Sequence, residues 1–226
     1  MSDMDANFAE LRRTERRLEI LVPRIFHRVV KRKTPQPGWL PRRYLTVVSA
    51  DVDLDSGIGA VWLALRPGSA RAETLTARIE RYDGRWEYSG AGSTHGDAEA
   101  DRRAAGHPGQ SGMIELGGRS GGVSNAYRLE HPHSPVSAAP WVEASELQAA
   151  AEVSHLLIGE RRVEVPAHGR VIVVWKSPAT GGGGTRPLIT AFGSDGSELS
   201  RIGPHDNIDS YTSAKLGATG GTPPAP

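Results

Sequence analysis

Residues 73–90, ETLTARIERYDGRWEYSG, decide the fold class. On both sides of Asp83-Gly84 the residues alternate with period two, the repeat of a strand whose successive side chains point to opposite faces. Asp-Gly between two such runs signals a two-residue hairpin, because both central positions need positive φ. Trp86 and Tyr88 fall on one face of the second strand. Upstream, the same rhythm predicts strands at 58–66 (IGAVWLALR) and 44–54 (YLTVVSADVDL). Downstream it predicts strands at 112–117, 123–130, 153–158, 161–165, 170–176, 187–193 and 197–202, with Asp195-Gly196 in a second hairpin pattern.

Between these runs, residues 91–110 are polar and rich in Gly and Ala and read as a mobile excursion. Residues 131–142 hold three prolines and read as extended. Ser145 and Gln148 stand in capping-box spacing, so 145–151 reads as one short helix. The stretches 59–66 and 169–176 echo each other faintly, each followed by a Gly/Pro-containing loop, a strand and an Asp-Gly turn. The expectation is a mainly β chain: an antiparallel β-sandwich-like body over 37–214. The alternative reading is two small β domains, divided near 131–150. Residues 215–226, ending in Gly, Thr, Pro and Ala, are expected to be a disordered tail.

Ahead of Tyr44 the period is helical. Asn7 caps a helix with Glu10 in capping-box spacing, and Phe8, Leu11, Leu18, Leu21 and Val22 recur along one side. Arg12, Arg13, Arg16 and Arg17 are left largely outside that stripe. Pro23 ends or kinks this helix and suits the first position of another. The second piece, to Lys33, sets Ile25, Phe26, Val29 and Val30 against Arg24, His27, Arg28, Lys31 and Arg32. Thr34-Pro35-Gln36-Pro37-Gly38 is a breaker cluster, so residues 1–36 read as a basic helical arm.

The charge step falls where the period changes. The first 50 residues carry 11 Lys/Arg and 5 Asp/Glu, a net +6, and the remaining 176 carry 16 and 21, a net −5. Blocks of charge report partners rather than fold. The 226-residue chain has 27 Gly and 16 Pro, which implies many turns, and no cysteine. The last fact excludes disulfides, thiolate metal sites and cysteine nucleophiles. No apolar run reaches the roughly 18 residues of a membrane-spanning helix. The acidic start Met1-Ser2-Asp3-Met4-Asp5 lacks the apolar stretch of a secretory signal, so a cytoplasmic location is expected. Arginine supplies 23 of the 27 cations, which matches the coding bias of GC-rich, actinobacterial-like genomes.

Several motifs imitate catalytic or metal sites. Gly118-Arg119-Ser120-Gly121-Gly122 fits the G-x-S-x-G pattern of a nucleophile elbow, which needs a strand-to-helix turn exposing Ser120. Residues 123–129 alternate like a strand instead of opening a helix, so GGRSGG reads as a hairpin loop. Asp51, Asp53 and Asp55 with Gly57 imitate the start of a calcium loop. The places of the required Gly and Glu hold Ser56 and Trp62, and aspartates on the solvent face of a strand explain the run better. His95, Asp97, Glu99, Asp101 and His107 crowd the polar excursion, and His131 and His133 flank Pro132. A Gly/Ala-rich loop gives such ligands no rigid second shell, so no metal is expected. Gly181 to Gly184 lacks the Lys-Ser/Thr that would come after a phosphate-binding loop. The five tryptophans lie mostly within or beside strands and read as core. No cofactor is implied.

The function expected is therefore a non-enzymatic binding or assembly protein that docks a partner through the arm. Phe8, Leu11, Leu18, Ile25, Phe26 and Val29 would be the apolar anchors. Arg12, Arg16, Arg24, Arg28, Lys31, Arg32 and Lys33 would guide the encounter. The partner is another protein or a second copy of this chain, with nucleic acid or an anionic membrane surface as alternatives. The competing reading docks the apolar stripe on the chain's own β body and leaves the arginines solvated. A hydrolase using Ser120, or a metal held by the His/Asp loop, is the alternative from the enzyme class.

Overall fold

The computed structural model describes residues 16–29, 36–69, 72–94, 112–178 and 184–219, and its three sheets are all antiparallel. The first sheet is a meander of β1 (Leu45–Asp53), β2 (Ile58–Leu65), β3 (Glu73–Tyr82) and β4 (Arg85–Thr94) in that order. The second places β6 (Trp141–Ala149) between β5 (Ile114–Val123) and β9 (Arg170–Ser177). The third contains β7 (His155–Ile158), β8 (Arg161–Glu164), β10 (Ile189–Phe192) and β11 (Glu198–Ile202) in the order β11-β10-β7-β8. Helix α1 spans residues 16–29, α2 spans Asn125–Glu130 and α3 spans Ser210–Thr219. The chain is mainly β and sandwich-like, as its alternation predicts.

Three apolar layers stack the elements. The odd-numbered residues of β2 and β3, among them Val61, Leu63, Leu75, Ala77 and Ile79, meet Leu18, Val22, Ile25 and Phe26 of α1. The opposite face of β2, Ile58, Ala60 and Trp62, meets Val142 and Ala144 of β6 and Ile172 and Val174 of β9. The other face of the second sheet, including Leu147, Val171, Val173 and Trp175, packs on Leu156, Ile189 and Ile202 of the third. An amphipathic element must bury its apolar side, and each of these faces finds a neighbour.

A bulge sets how the first two sheets join. Val47 pairs with Leu63 and Ser49 with Trp62, so Val48 is an extra residue that flips the strand's alternation. Before it, Leu45 and Val47 face α1; after it, Ser49 and Asp51 face β9. There Ser49 Oγ accepts from the Ile172 N–H at 3.1 Å and Asp51 Oδ2 from the Val174 N–H at 2.8 Å. Arg161 pairs with Asp51 and donates to the Val174 carbonyl at 2.6 Å. The outer edge of β9 is thus satisfied by side chains, a device that blocks strand addition. Burial pushes the Asp51 carboxyl above its ordinary value, while Arg161 and the Val174 N–H pull against that shift. Asp51 is buried, not on the solvent face expected from its alternation; Asp53 instead accepts from the Ser56 N–H in the turn.

Other elements depart from the sequence reading for identifiable reasons. Residues 123–130 are not a strand: Ser124 caps α2 through the Tyr127 N–H, and Glu80 of β3 accepts from the Asn125 and Ala126 N–H groups. That second cap comes from a distant strand, which local patterning does not register. Ser145 to Ala149 belongs to β6 rather than a helix, because a place between β5 and β9 satisfies its backbone along both edges. The stretch GGRSGG lies within β5, not in a hairpin loop. Its glycines allow close approach: a Cβ on Gly122 would lie 3.1 Å from Arg78 Nη1, and one on Gly121 3.0 Å from Glu143 Cγ. Helix α1 continues through Pro23 as one piece. The 59–66 and 169–176 echo is not a structural repeat, since β2 pairs on both sides and β9 pairs only with β6. Helix α3 runs through Lys215 to Thr219; residues 220–226 lie outside the described residues.

Asp209 ties the C-terminal helix to this stack. Its Oδ2 accepts from the Met113 and Ile114 N–H groups at 2.7 and 2.9 Å and from Ser200 Oγ at 3.0 Å. Its Oδ1 accepts from the Thr212 N–H at 2.9 Å and so caps α3. Burial works to raise its pKa, but the bonds from Thr212, Ile114 and Ser200 outweigh burial and hold it below the ordinary value. A depressed carboxyl adds stability that is complete above the unfolded pKa and is lost as pH falls through the folded one. Asn offers one acceptor oxygen where two are used. Asp209→Asn should therefore cost about 1–3 kcal/mol at neutral pH. Urea melts from about pH 4 downward should show a shallower acid loss in the variant than in the wild type.

Candidate functional site

With 3.6 residues per turn, the pattern that turns Leu18, Val22, Ile25 and Phe26 inward turns Arg16, Ile20, Arg24, His27 and Arg28 outward. Val22, Ile25 and Phe26 have no exposed surface, and Leu18 keeps 6%. The anchors Leu18, Ile25 and Phe26, with Val29 partly buried beside them, are therefore covered by the chain's own sheet and are not open to a partner. The reason is reciprocal: the α1-facing side of β2 and β3 is apolar and α1 is the element that covers it. Phe8, Leu11, Arg12, Lys31, Arg32 and Lys33 lie outside the described residues. Arg16 and Arg24 are exposed and Arg28 is half-buried.

Beyond α1, Gln36 staples the connection to β1. Its Nε2 donates to the Leu40 and Leu45 carbonyls at 3.0 and 3.3 Å, and its Oε1 accepts from the Val47 N–H at 2.8 Å. This fixes the turn that presents Trp39, whose surface is 55% exposed. Across from it the β3–β4 turn, Asp83 at φ 48° and Gly84 at φ 73°, delivers Arg85 and Trp86. Trp86 stacks on Phe26, ring centroids 6.1 Å apart and planes inclined by 28°. Together these elements enclose an open cleft of about 550 Å³ lined by Pro23, Arg24, His27, Arg28, Trp39, Gly84, Arg85 and Trp86.

Among the described residues the lining is two indoles, three guanidinium groups and one imidazole, with no carboxylate. Among the described residues no acidic side chain is ion-paired with Arg24, Arg28 or Arg85. Arg28 Nε is buried and has no hydrogen-bond partner among the described residues. A cleft of this size falls within the range of small-ligand sites. Its chemistry favours a negatively charged ligand with a flat apolar part. Of the residues expected from sequence, Arg24 and Arg28 meet here; Trp39, Arg85 and Trp86 join them through tertiary contact alone.

A second polar assembly lies inside. Four even-numbered residues of β3, Thr74, Thr76, Arg78 and Glu80, are buried on the face turned away from α1. Thr76 Oγ1 donates to Glu146 Oε1 at 2.5 Å, Arg78 Nη1 donates to the Val142 carbonyl at 2.9 Å, and Ser124 Oγ donates to Glu80. Burial works against the charged form of Arg78 and sets the direction downward, while Glu80, Tyr88 and Glu143 support the charge. On the far side of β6, Glu143 pairs with Arg119 at 2.6 Å. Every one of these groups serves a neighbour in the fold. Alternation in β3 is the only sequence signal for them, and it mimics a solvent face.

The motif candidates fare differently. Ser120 sits within β5, opposite Ala144 and 9% exposed, without the turn into a helix that a nucleophile elbow needs. His95, Asp97, Glu99, Asp101 and His107 lie outside the described residues. His131 stacks on Tyr127 at 4.2 Å. Among the described residues no group of three or more His, Asp or Glu side chains is placed to hold a metal, and no helix is long and apolar enough to cross a membrane.

The fold and cleft thus describe a mainly β protein with a cationic, aromatic surface site. Compared with known proteins, the chain matches no family model, no curated protein and no solved structure.

Proposed function

We propose that this chain is a non-enzymatic binding protein that takes an anionic partner on the outer, basic side of α1 and in the adjoining cleft. One observation carries the reading: three arginines and two tryptophans converge on an open cleft to which the described residues contribute no carboxylate. The inward side of α1 is spent on the first sheet, so the helix offers a partner its charge rather than its apolar stripe. Exposed cations of this kind act mostly through encounter rate and salt dependence.

Immobilised heparin, a polyanion without bases, is the first probe. The Arg16→Glu/Arg24→Glu/Arg85→Glu protein should elute at clearly lower salt than the wild type. Its thermal unfolding should be nearly unchanged, because exposed substitutions typically cost within about 0.5 kcal/mol each. The control Arg162→Glu/Arg201→Glu/Lys215→Glu makes the same charge change at exposed sites away from the cleft. It should keep most of the retention. Equal loss in both proteins would mean that net charge, not this site, governs binding, and the reading would be wrong.

A further inference from the structure

We infer that the cleft beside α1 is a nucleotide site for single-stranded nucleic acid, with one base held against Trp39 and Trp86 and its flanking phosphates on Arg24, Arg28 and Arg85. This deepens the anion-binding reading and rests on it. Three features together select a nucleotide over other anions. The first is a rigid aromatic floor: Trp86 is backed by the buried Phe26 ring, and Trp39 is held by a turn that Gln36 staples to β1. An indole already fixed by its own core gives up little freedom when a base stacks on it. The second is charge beside, rather than beneath, the aromatic surface. Arg24 and Arg28 stand one helical turn apart on α1, and Arg85 comes from the facing turn, so cations flank the indoles from two elements.

The third is continuation beyond the cleft. Arg16 and Arg17 are exposed on α1 two turns before Arg24, and Arg42 and Arg43 are exposed three and four positions after Trp39 in sequence, with Arg43 over the Tyr44 ring at 4.8 Å. Tyr44 is itself 58% exposed. The segments that supply the cleft's lining thus carry further exposed cations and a second aromatic surface for a longer strand. Aromatic platforms set in a basic track are how sequence-tolerant single-strand binders work, because every base has a π face and every linkage a phosphate. An acidic peptide would use the cations but would leave the paired indoles without a matching plane.

The test is a tryptophan-fluorescence titration of the full chain with a thymidine oligonucleotide about twelve residues long, at about 50 mM salt, beside inorganic polyphosphate of similar charge. The oligonucleotide should quench emission and bind more tightly than polyphosphate. Trp39→Ala should weaken it about tenfold or more, and Trp39→Phe, which keeps an aromatic plane, should restore most of that loss. Heparin retention of Trp39→Ala should match the wild type. Should the oligonucleotide bind no better than polyphosphate, or ignore Trp39→Ala, the nucleotide assignment is overturned while anion binding stands. Should neither oligonucleotide nor heparin bind, the anion-binding reading falls as well.

Discussion

Phe26→Ala should lower the unfolding free energy by about 3–5 kcal/mol, the usual cost of removing a fully buried aromatic ring. Phe26 is wholly inaccessible and stacks on Trp86, so truncation leaves a cavity between α1 and the first sheet. The contact beneath the ring is unusually close. A Cβ on Gly59 would lie 2.4 Å from Phe26 Cε1, 2.8 Å from Cζ and 3.2 Å from Ile79 Cγ1. Gly59→Ala alone should therefore cost about 1–3 kcal/mol, because the added methyl drives the ring, and the helix carrying it, away from β2. In the Phe26→Ala background the same methyl enters the vacated space, and most of its cost should vanish. Urea unfolding of the four proteins of this cycle measures the coupling, which should reach about 1 kcal/mol or more. Additive costs would mean that Phe26 is not seated over Gly59. The same packing makes α1 part of the body: removing residues up to 29 should unfold the first sheet.

The strand pattern was readable where a strand's neighbours lie near it in sequence. The β3–β4 hairpin falls on 73–82 and 85–94, running four residues into the stretch read as an excursion, with the Asp83-Gly84 turn in positive φ as its residues imply; β7, β8, β10 and β11 lie within their expected runs and β9 overruns its own by Ser177. Reading failed where a distant group decides the local structure. Glu80 turns 125–130 into a helix by capping it from β3, and β6 is a strand because two neighbours bond it. The alternation of β3 marks one face as polar. It does not say that Arg78 and Glu80 on that face will be covered by the second sheet. The same limit applies to α1. Helical spacing separates Ile25 and Phe26 from Arg24 and Arg28, but periodicity does not reveal what covers the apolar side. Arg24 and Arg28 were legible as outward cations. Trp39 and Trp86 were not legible as their partners, since 47 positions of the numbering separate them and only the meander brings them together.

Arg78→Met should be comparably damaging, by about 3–5 kcal/mol, for an electrostatic reason. Arg78 is 8% exposed and Glu80, the carboxylate that most supports its charge, is 3% exposed, so the two charges balance each other in a region with little water. Gly90 and Gly122 give its guanidinium room on both sides, and its Nη1 donates to the Val142 carbonyl. Methionine fills much of that space but leaves the Glu80 carboxylate without the cation that balances it, whereas Glu143 keeps Arg119. A group of buried charges adds little net stability as a whole, yet breaking it is expensive because the remaining charges stay buried. Glu80→Gln separates this from a packing defect. Alone it should be costly, because the carboxylate also caps α2 through the Asn125 and Ala126 N–H groups. Combined with Arg78→Met it should cost about 1 kcal/mol or more below the sum of the two, since one unbalanced charge is then gone. Chemical unfolding at neutral pH reads all three proteins. If Arg78→Met costs less than about 1 kcal/mol, or the pair proves additive, the charge balance between Arg78 and Glu80 does not stabilise the fold.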